Sequence, residues 1–130
     1  KPFKQDDNII DNDDTYNSNV KEELYHPNVK MPTIGGIRKA AMKEDGFDKL
    51  KNHIESLIFL YQKNDEFKDI IMNMINDVSG IGGKCCLHYA AWRGSIKSVS
   101  LLLDYGADIN LYSIGNGNYG KTAIFYALTR

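Results

Sequence analysis

The stretch that decides the fold runs from residue 83 to residue 110 and reads GKCCLHYAAWRGSIKSVSLLLDYGADIN. The small pair Ala90–Ala91 allows two helices to approach closely, and Gly94 permits a tight turn after them. Apolar residues then recur at helical spacing through residues 99–103, and Gly106 follows them in the position of a left-handed helix cap. The stretch therefore predicts two short helices packed as a hairpin.

This hairpin resembles an ankyrin repeat. Cys85 and Cys86 stand where that family usually has threonine and proline. His88 therefore lacks the usual hydroxyl partner, and the first helical turn lacks the proline that would fix its backbone angle. We expect somewhat lower local stability. The positions that match the family keep the order and spacing of a unit of about 33 residues. They are Gly83, Leu87, His88, Ala90, Ala91, Gly94, Val99, Leu102, Leu103, Gly106, Ala107, Asp108 and Asn110.

Two further parts of the chain resemble the same unit. Residues 120–130 realign with residues 83–93 at an offset of 37, although Phe125 and Leu128 replace the usual histidine and second alanine. Residues 37–54 resemble a divergent unit at an offset of 50, which leaves a surplus of about 17 residues against the family period. We assign this surplus to residues 57–75, as an extended helix and an added one.

The upstream apolar pattern supports helices there. Ile37, Ala40 and Ala41 form a short apolar face, and a longer helix follows from Phe47 to Tyr61. Residues 64–65 (Asn-Asp) are expected to cap a third helix with its apolar positions between Phe67 and Ile75. The predicted fold class is all-α, an ankyrin-type helical repeat solenoid with an inserted or capping helix.

Residues 1–32 differ in composition from the rest of the chain. They carry seven acidic and four basic side chains and few large aliphatic ones, so we predict a poorly structured acidic tail. The ankyrin-like domain is expected to span residues 33–130. It divides into a divergent repeat with a helical insertion at 33–82, a consensus-like repeat at 83–115 and the first half of a further repeat at 116–130.

Composition limits the classes of partner. The net charge is −1, from 16 basic and 17 acidic side chains, which provides no general field for nucleic acid. The longest apolar run, residues 57–61, is far shorter than the roughly 20 residues of a membrane span. The two cysteines are adjacent and poorly placed to bridge each other, so we expect an intracellular location, cytoplasmic or nuclear. We expect neither nucleic acid nor membrane as partner.

Residues 115–122 (GNGNYGKT) match the phosphate-loop pattern of P-loop nucleotide-binding proteins. In that fold a magnesium-binding aspartate lies on a later strand, but only eight residues follow Thr122. The repeat phase also accounts for Gly120, Lys121 and Thr122 as the start of a unit. Nucleotide binding at 115–122 therefore stays a weak alternative.

Catalytic and metal-binding chemistry are not indicated. Cys85, Cys86 and His88 lie close in sequence, but a structural zinc needs four ligands, and the remaining histidines are isolated. No serine, cysteine or carboxylate is placed beside a base as a nucleophile would be. We expect no enzyme activity, no metal and no cofactor.

The resemblance implies noncatalytic protein recognition, as an interaction module or scaffold. In the ankyrin family the binding surface tends to be formed by loop tips and by the exposed side of each first helix. Trp92 could instead pack internally, and the whole chain could be an accessory or regulatory segment of a larger enzyme or assembly that packs against its own parent chain. The positions that the resemblance makes partner-binding candidates are Ile81, Lys84, Trp92, Arg93, Tyr112, Tyr119, Lys121, Thr129 and Arg130.

Overall fold

The computed structural model describes residues 31–130, and within this range the secondary structure consists of six α-helices without a β-strand. The expected all-α repeat class is thus confirmed for the described part of the chain. The predicted tail lies outside it, apart from residues 31 and 32. The helices are α1 (Ile34–Met42), α2 (Phe47–Tyr61), α3 (Phe67–Ile75), α4 (Cys86–Arg93), α5 (Ile96–Asp104) and α6 (Ala123–Leu128).

The helices stack in two layers. In the inner layer α1 packs against α4, and α4 packs against α6. In the outer layer α2 lies against α1, and α5 lies against α4 and α2. The added helix α3 packs on α1 and α2. Each helix pair therefore buries its apolar side against the next pair.

Small residues make the close packing of the inner layer possible. Ala40, Ala41 and Ala90 are almost completely buried, and short side chains let the axes of packed helices approach. The outer layer contributes larger side chains, and Leu50 and Ile54 of α2 are fully buried. Each such Leu or Ile stabilises the fold by about 1.5–3 kcal/mol relative to exposure.

Side-chain and glycine caps set several helix ends. Thr33 Oγ1 accepts a hydrogen bond from the Gly36 amide at 2.9 Å and starts α1. Gly94, with φ at 76°, ends α4 in the left-handed conformation. The expected cap at Asn64 differs in the structure: the N-cap of α3 is Glu66, and Asn64 Oδ1 accepts from the Glu66 amide at 2.8 Å. Asn64 thus closes the turn that precedes the helix.

The same arginine contact joins each inner helix to the preceding one. Arg93 Nε at the end of α4 donates to the carbonyl oxygen of Met42 at 2.7 Å. Arg130 Nε donates to the carbonyl oxygen of Trp92 at 2.9 Å. Met42 and Trp92 are 50 residues apart and the two arginines are 37 apart, the offsets at which the sequence realigns. A cation thus lies at the C-terminus of both α1 and α4, where the helix dipole favours it.

Two turns of the same kind follow α3 and α5. Asp77 Oδ1 accepts from the Ser79 amide at 2.8 Å, and Asp108 Oδ1 accepts from the Asn110 amide at 2.9 Å. Asn76 links the two turns, because its side chain donates to the Gly106 carbonyl and accepts from the Asp108 amide. The C-terminus of α3 is therefore followed by the same kind of turn as the C-terminus of α5, and the two turns lie side by side. The N-terminus of α5, by contrast, lies near the N-terminus of α2, because Lys97 Nζ is 5.7 Å from the Phe47 ring centroid.

Candidate partner-binding surface

The start of α4 is organised by a buried histidine. The Cys85 amide donates to His88 Nδ1 at 3.1 Å, so Nδ1 carries no proton, and Nε2–H donates to the Leu111 carbonyl at 2.8 Å. Burial lowers the pKa of His88, the hydrogen bond to the Leu111 carbonyl partly offsets this, and the charge of Lys84 lowers the pKa further. The Cys85 sulfur accepts from the His88 backbone amide and takes the place of the usual threonine hydroxyl. His88 thereby ties α4 to the hairpin loop.

Both thiols near this histidine are buried and unpaired with each other. Burial raises the pKa of Cys85, and it raises the pKa of Cys86 to about 12. At neutral pH both are therefore thiols and not thiolates, which makes them poor nucleophiles and poor metal ligands. Among residues 31–130, no group of three or more His, Cys, Asp or Glu side chains is arranged to hold a metal ion.

Lys84 lies between two tyrosine rings on the inner side of the repeat. Its Nζ is 5.3 Å from the Tyr89 ring centroid and 5.2 Å from that of Tyr126. An ammonium group over aromatic faces is held by the ring quadrupoles. Lys121, at the equivalent position 37 residues later, has its Nζ 4.8 Å from the Phe125 ring centroid and donates to the Gly117 carbonyl.

Trp92, Arg93 and Arg130 form one cluster at the C-terminal ends of α4 and α6. The Arg93 guanidinium carbon is 5.0 Å from the Trp92 ring centroid, and Trp92 is 45% exposed. Arg130 donates to the carbonyl oxygens of both Trp92 and Arg93. Gly94 makes room for this arrangement, since a Cβ there would overlap the Arg130 guanidinium. Thr129 is also exposed and uses its hydroxyl within the chain, on the Tyr126 carbonyl.

The loop tips carry the remaining candidates. Ile81 is fully exposed, and Tyr112 and Tyr119 are 59% and 77% exposed. The two loops meet where the Ile114 amide donates to the Gly83 carbonyl at 2.8 Å. A Cβ on either Gly83 or Gly115 would overlap the backbone of the other loop. Glycine at both positions is therefore what lets the two hairpin loops cross in contact.

Ser113, which no sequence motif marks as functional, organises the loop from 113 to 121. Its hydroxyl oxygen is completely buried, accepts from the Tyr126 hydroxyl at 2.9 Å, and lies within hydrogen-bonding reach of the Asn118 and Lys121 carbonyls. The Ser113 amide donates to the Lys121 carbonyl, and the Gly120 amide donates to the Ser113 carbonyl. The sequence signal available for Ser113 was its position as a small polar residue within the mostly apolar segment 109–114.

The internal bonds of this loop bear on the phosphate-loop alternative. The amides of Asn118, Gly120 and Lys121 all donate to acceptors within the loop. A phosphate cradle needs such amides to point at the ligand. The geometry of residues 115–122 therefore lends nucleotide binding no support.

Comparisons with known proteins agree with this repeat geometry. A family model described as "Ankyrin repeat" matches residues 82–113. The ankyrin repeat protein FPV244 of Fowlpox virus (strain NVSL) is 32% identical over 77 residues. That match covers 55% of this chain and 12% of the viral protein, so the chain spans only a small part of this relative. No solved structure gives a significant match.

Residues 82–113 thus have the sequence of an ankyrin repeat. The matched repeat includes the buried His88, which links α4 to the hairpin loop. It also includes Gly94 and Gly106, whose positive φ angles let the chain turn after α4 and α5. Ankyrin repeats are in general noncatalytic modules that bind other proteins. Within residues 31–130, no helix is long and apolar enough to cross a membrane.

The ankyrin geometry brings together some of the predicted partner-binding residues. Trp92, Arg93 and Arg130 touch one another, whereas Lys84 and Lys121 occupy separate but equivalent places, two residues before α4 and α6. Ile81, Tyr112 and Tyr119 lie on loops and are exposed. The inserted helix α3 and the rest of residues 31–130 leave Trp92 nearly half exposed.

The outer side of the C-terminal helices carries an apolar groove of about 420 Å³, which the sequence did not indicate. It lies between α5 and α6. Ile96, Leu103 and Ile124 are 82%, 40% and 59% exposed beside it. The residues that line the groove are Leu87, Ala91, Gly94, Ser95, Ile96, Val99, Ser100, Leu103, Ile109, Ala123, Ile124, Ala127 and Arg130.

Proposed function

We propose that this ankyrin-repeat domain recognises a protein partner, without catalysis, through the inner side of α4 and α6 and the adjoining loop tips. The observation that carries the proposal is the half-exposed Trp92, whose ring centroid lies 5.0 Å from the Arg93 guanidinium carbon and whose backbone carbonyl accepts a hydrogen bond from Arg130. A rigid aromatic ring beside arginine is typical of interface hot spots, because it buries a large area at a small entropic cost.

Trp92→Ala tests this role. Affinity capture followed by mass spectrometry compares the wild-type chain with Trp92→Ala and with Leu60→Ala, a control on the outer helix α2 that is 36% exposed. We expect proteins retained by the wild type and by the control to be lost with Trp92→Ala, while the melting temperature stays unchanged. Equal capture by all three chains contradicts the proposal, and a lowered melting temperature for Trp92→Ala assigns the ring to packing instead.

The apolar groove favours a second candidate role, that of an accessory segment packed against its own parent chain. Exposed apolar surface of this kind is costly in water and marks contact with another protein element. The position of the groove, beside α6 and on the far side of α5 from α2, is where a further outer helix would pack. Capture of a catalytic domain through the groove and not through Trp92 would favour this role.

A further inference from the structure

Charge is unevenly distributed along the described chain, although the net charge of the whole sequence is only −1. Residues 78–103 contain three basic side chains and no acidic one, and residues 109–130 contain two basic side chains and no acidic one. Four of these five cations belong to the inner segments of two successive units. We call Lys84, Arg93, Lys121 and Arg130 the inner basic face; Arg130 also borders the apolar groove.

Within residues 31–130, the cations of the inner basic face are held in place by uncharged partners. Lys84, Arg93 and Lys121 lie over aromatic rings, and both arginines donate to helix-terminal carbonyls. Among residues 31–130, no carboxylate lies within ion-pair distance of any of the four, whereas Arg38 is paired with Asp77. The positive charge of this face therefore remains available to an anionic ligand.

The positions repeat from one unit to the next. Lys84 and Lys121 are equivalent at the offset of 37, and so are Arg93 and Arg130. Packed helices lie about 8–10 Å apart, and an extended chain in the polyproline II conformation advances about 3.1 Å per residue with three residues per turn. Carboxylates three residues apart in such a segment thus lie on one side of it, about 9 Å apart, and match equivalent cations on the two successive units.

Apolar contacts are available beside the charges. Trp92 is 45% exposed and Phe125 is 39% exposed on the same inner segments. They offer apolar surface to the side chains that lie between the carboxylates. Four cations would neutralise few phosphates, so the face is better suited to a short acidic peptide than to a nucleic acid backbone.

We propose that the inner basic face binds an extended acidic segment of a protein partner, with carboxylates at every third position facing Lys84 or Arg93 on one unit and Lys121 or Arg130 on the next. This inference rests on the proposed recognition function and specifies the chemistry of its partner.

The test uses the whole chain, whose only tryptophan is Trp92, so that its fluorescence reports directly from the surface in question. The probe is a synthetic peptide about twelve residues long with Glu at every third position and Leu and Pro between. Two matched peptides replace Glu with Gln, or keep the composition and place the Glu residues together. We expect saturable binding of the first peptide, at least about tenfold weaker binding of the Gln peptide, and intermediate binding of the third.

Charge reversals locate the binding site. Lys84→Glu and Lys121→Glu each should weaken binding of the acidic peptide about tenfold, whereas Lys51→Glu on the outer helix α2 changes the net charge equally and should change it less than twofold. Raising NaCl from about 50 to about 200 mM should weaken binding further, because the contacts are exposed to screening. Thermal melts confirm that each variant is folded.

Several outcomes would overturn the inference. The first two are equal binding of the Glu and Gln peptides, and no saturation up to about 1 mM peptide. The third is that Lys51→Glu weakens peptide binding as much as Lys84→Glu or Lys121→Glu does. The fourth is tighter binding of a thymidine 12-mer than of the acidic peptide, which would assign the face to nucleic acid. If Trp92→Ala abolishes partner capture while the acidic peptide does not bind, the recognition function stands and the acidic partner is wrong.

Discussion

His88 couples the start of α4 to the hairpin loop through both ring nitrogens, and only one protonation state allows this. Nδ1 accepts from the Cys85 amide, so a proton on Nδ1 would set two donors against each other. The ring is also nearly inaccessible to water, with 1% of its surface exposed. Burial therefore lowers its pKa below the ordinary value of 6.5. A buried neutral histidine of this kind connects stability to pH.

We expect the free energy of unfolding to fall as the pH is lowered from 7.5 to 5.5. The pKa of His53 is lowered as well, by burial and by the charge of Lys49. The unfolded chain takes up these protons near pH 6.5, before the folded chain does, so acid favours unfolding. Each histidine can contribute up to about 1.4 kcal/mol per pH unit between its two pKa values.

Urea unfolding at the two pH values measures this dependence. His53→Gln removes one titrating ring from a half-buried site and should reduce the loss of stability while retaining the His88 contribution. A chain that is more stable at pH 5.5 than at pH 7.5 would contradict the assigned direction of both pKa shifts.

At the scale of the helices, the sequence predicted most elements correctly because their signals are local. The apolar period that predicts α2 lies within that helix, and Gly106, which marks the end of α5, follows the helix by two residues. The Arg93 and Arg130 contacts were not predictable as caps, because their carbonyl partners are 51 and 38 residues away. The role of Ser113 was not predictable either, because its partners Lys121 and Tyr126 come within hydrogen-bonding distance only when the loop folds back on α6.

Two glycines test how the helices are terminated and spaced. Gly94 has φ at 76°, and a Cβ there would also overlap the Arg130 guanidinium, so Gly94→Ala should lower the free energy of unfolding by about 1–2 kcal/mol or more. Gly35 lies inside α1 with nothing within 4 Å of an added Cβ, so Gly35→Ala should raise stability by up to about 1 kcal/mol. Urea denaturation of both variants measures the difference. Similar effects of the two substitutions would show that neither the backbone conformation nor the arginine contact matters at Gly94.

At the scale of the whole molecule, the two layers differ in what they present to solvent. The inner layer exposes cations and aromatic rings, whereas the last unit of the outer layer exposes the apolar groove between α5 and α6. The sequence indicated the inner candidates, since the family resemblance assigns them to the exposed side of the first helices. It did not indicate the groove, because the groove depends on how α6 lies against α4 and next to α5.

The groove should bind an apolar fluorescent dye such as anilinonaphthalene sulfonate in the folded chain, since it offers about 420 Å³ of apolar space open to solvent. The double substitution Leu103→Gln and Ile124→Gln should abolish most of the dye fluorescence and leave the melting temperature nearly unchanged, because both side chains are already substantially exposed. Leu60→Gln on α2 is the matched control and should retain the dye signal. Unchanged fluorescence in the double variant would show that the dye binds elsewhere, and a loss of dye binding by the control would show that general surface hydrophobicity, rather than this groove, attracts it.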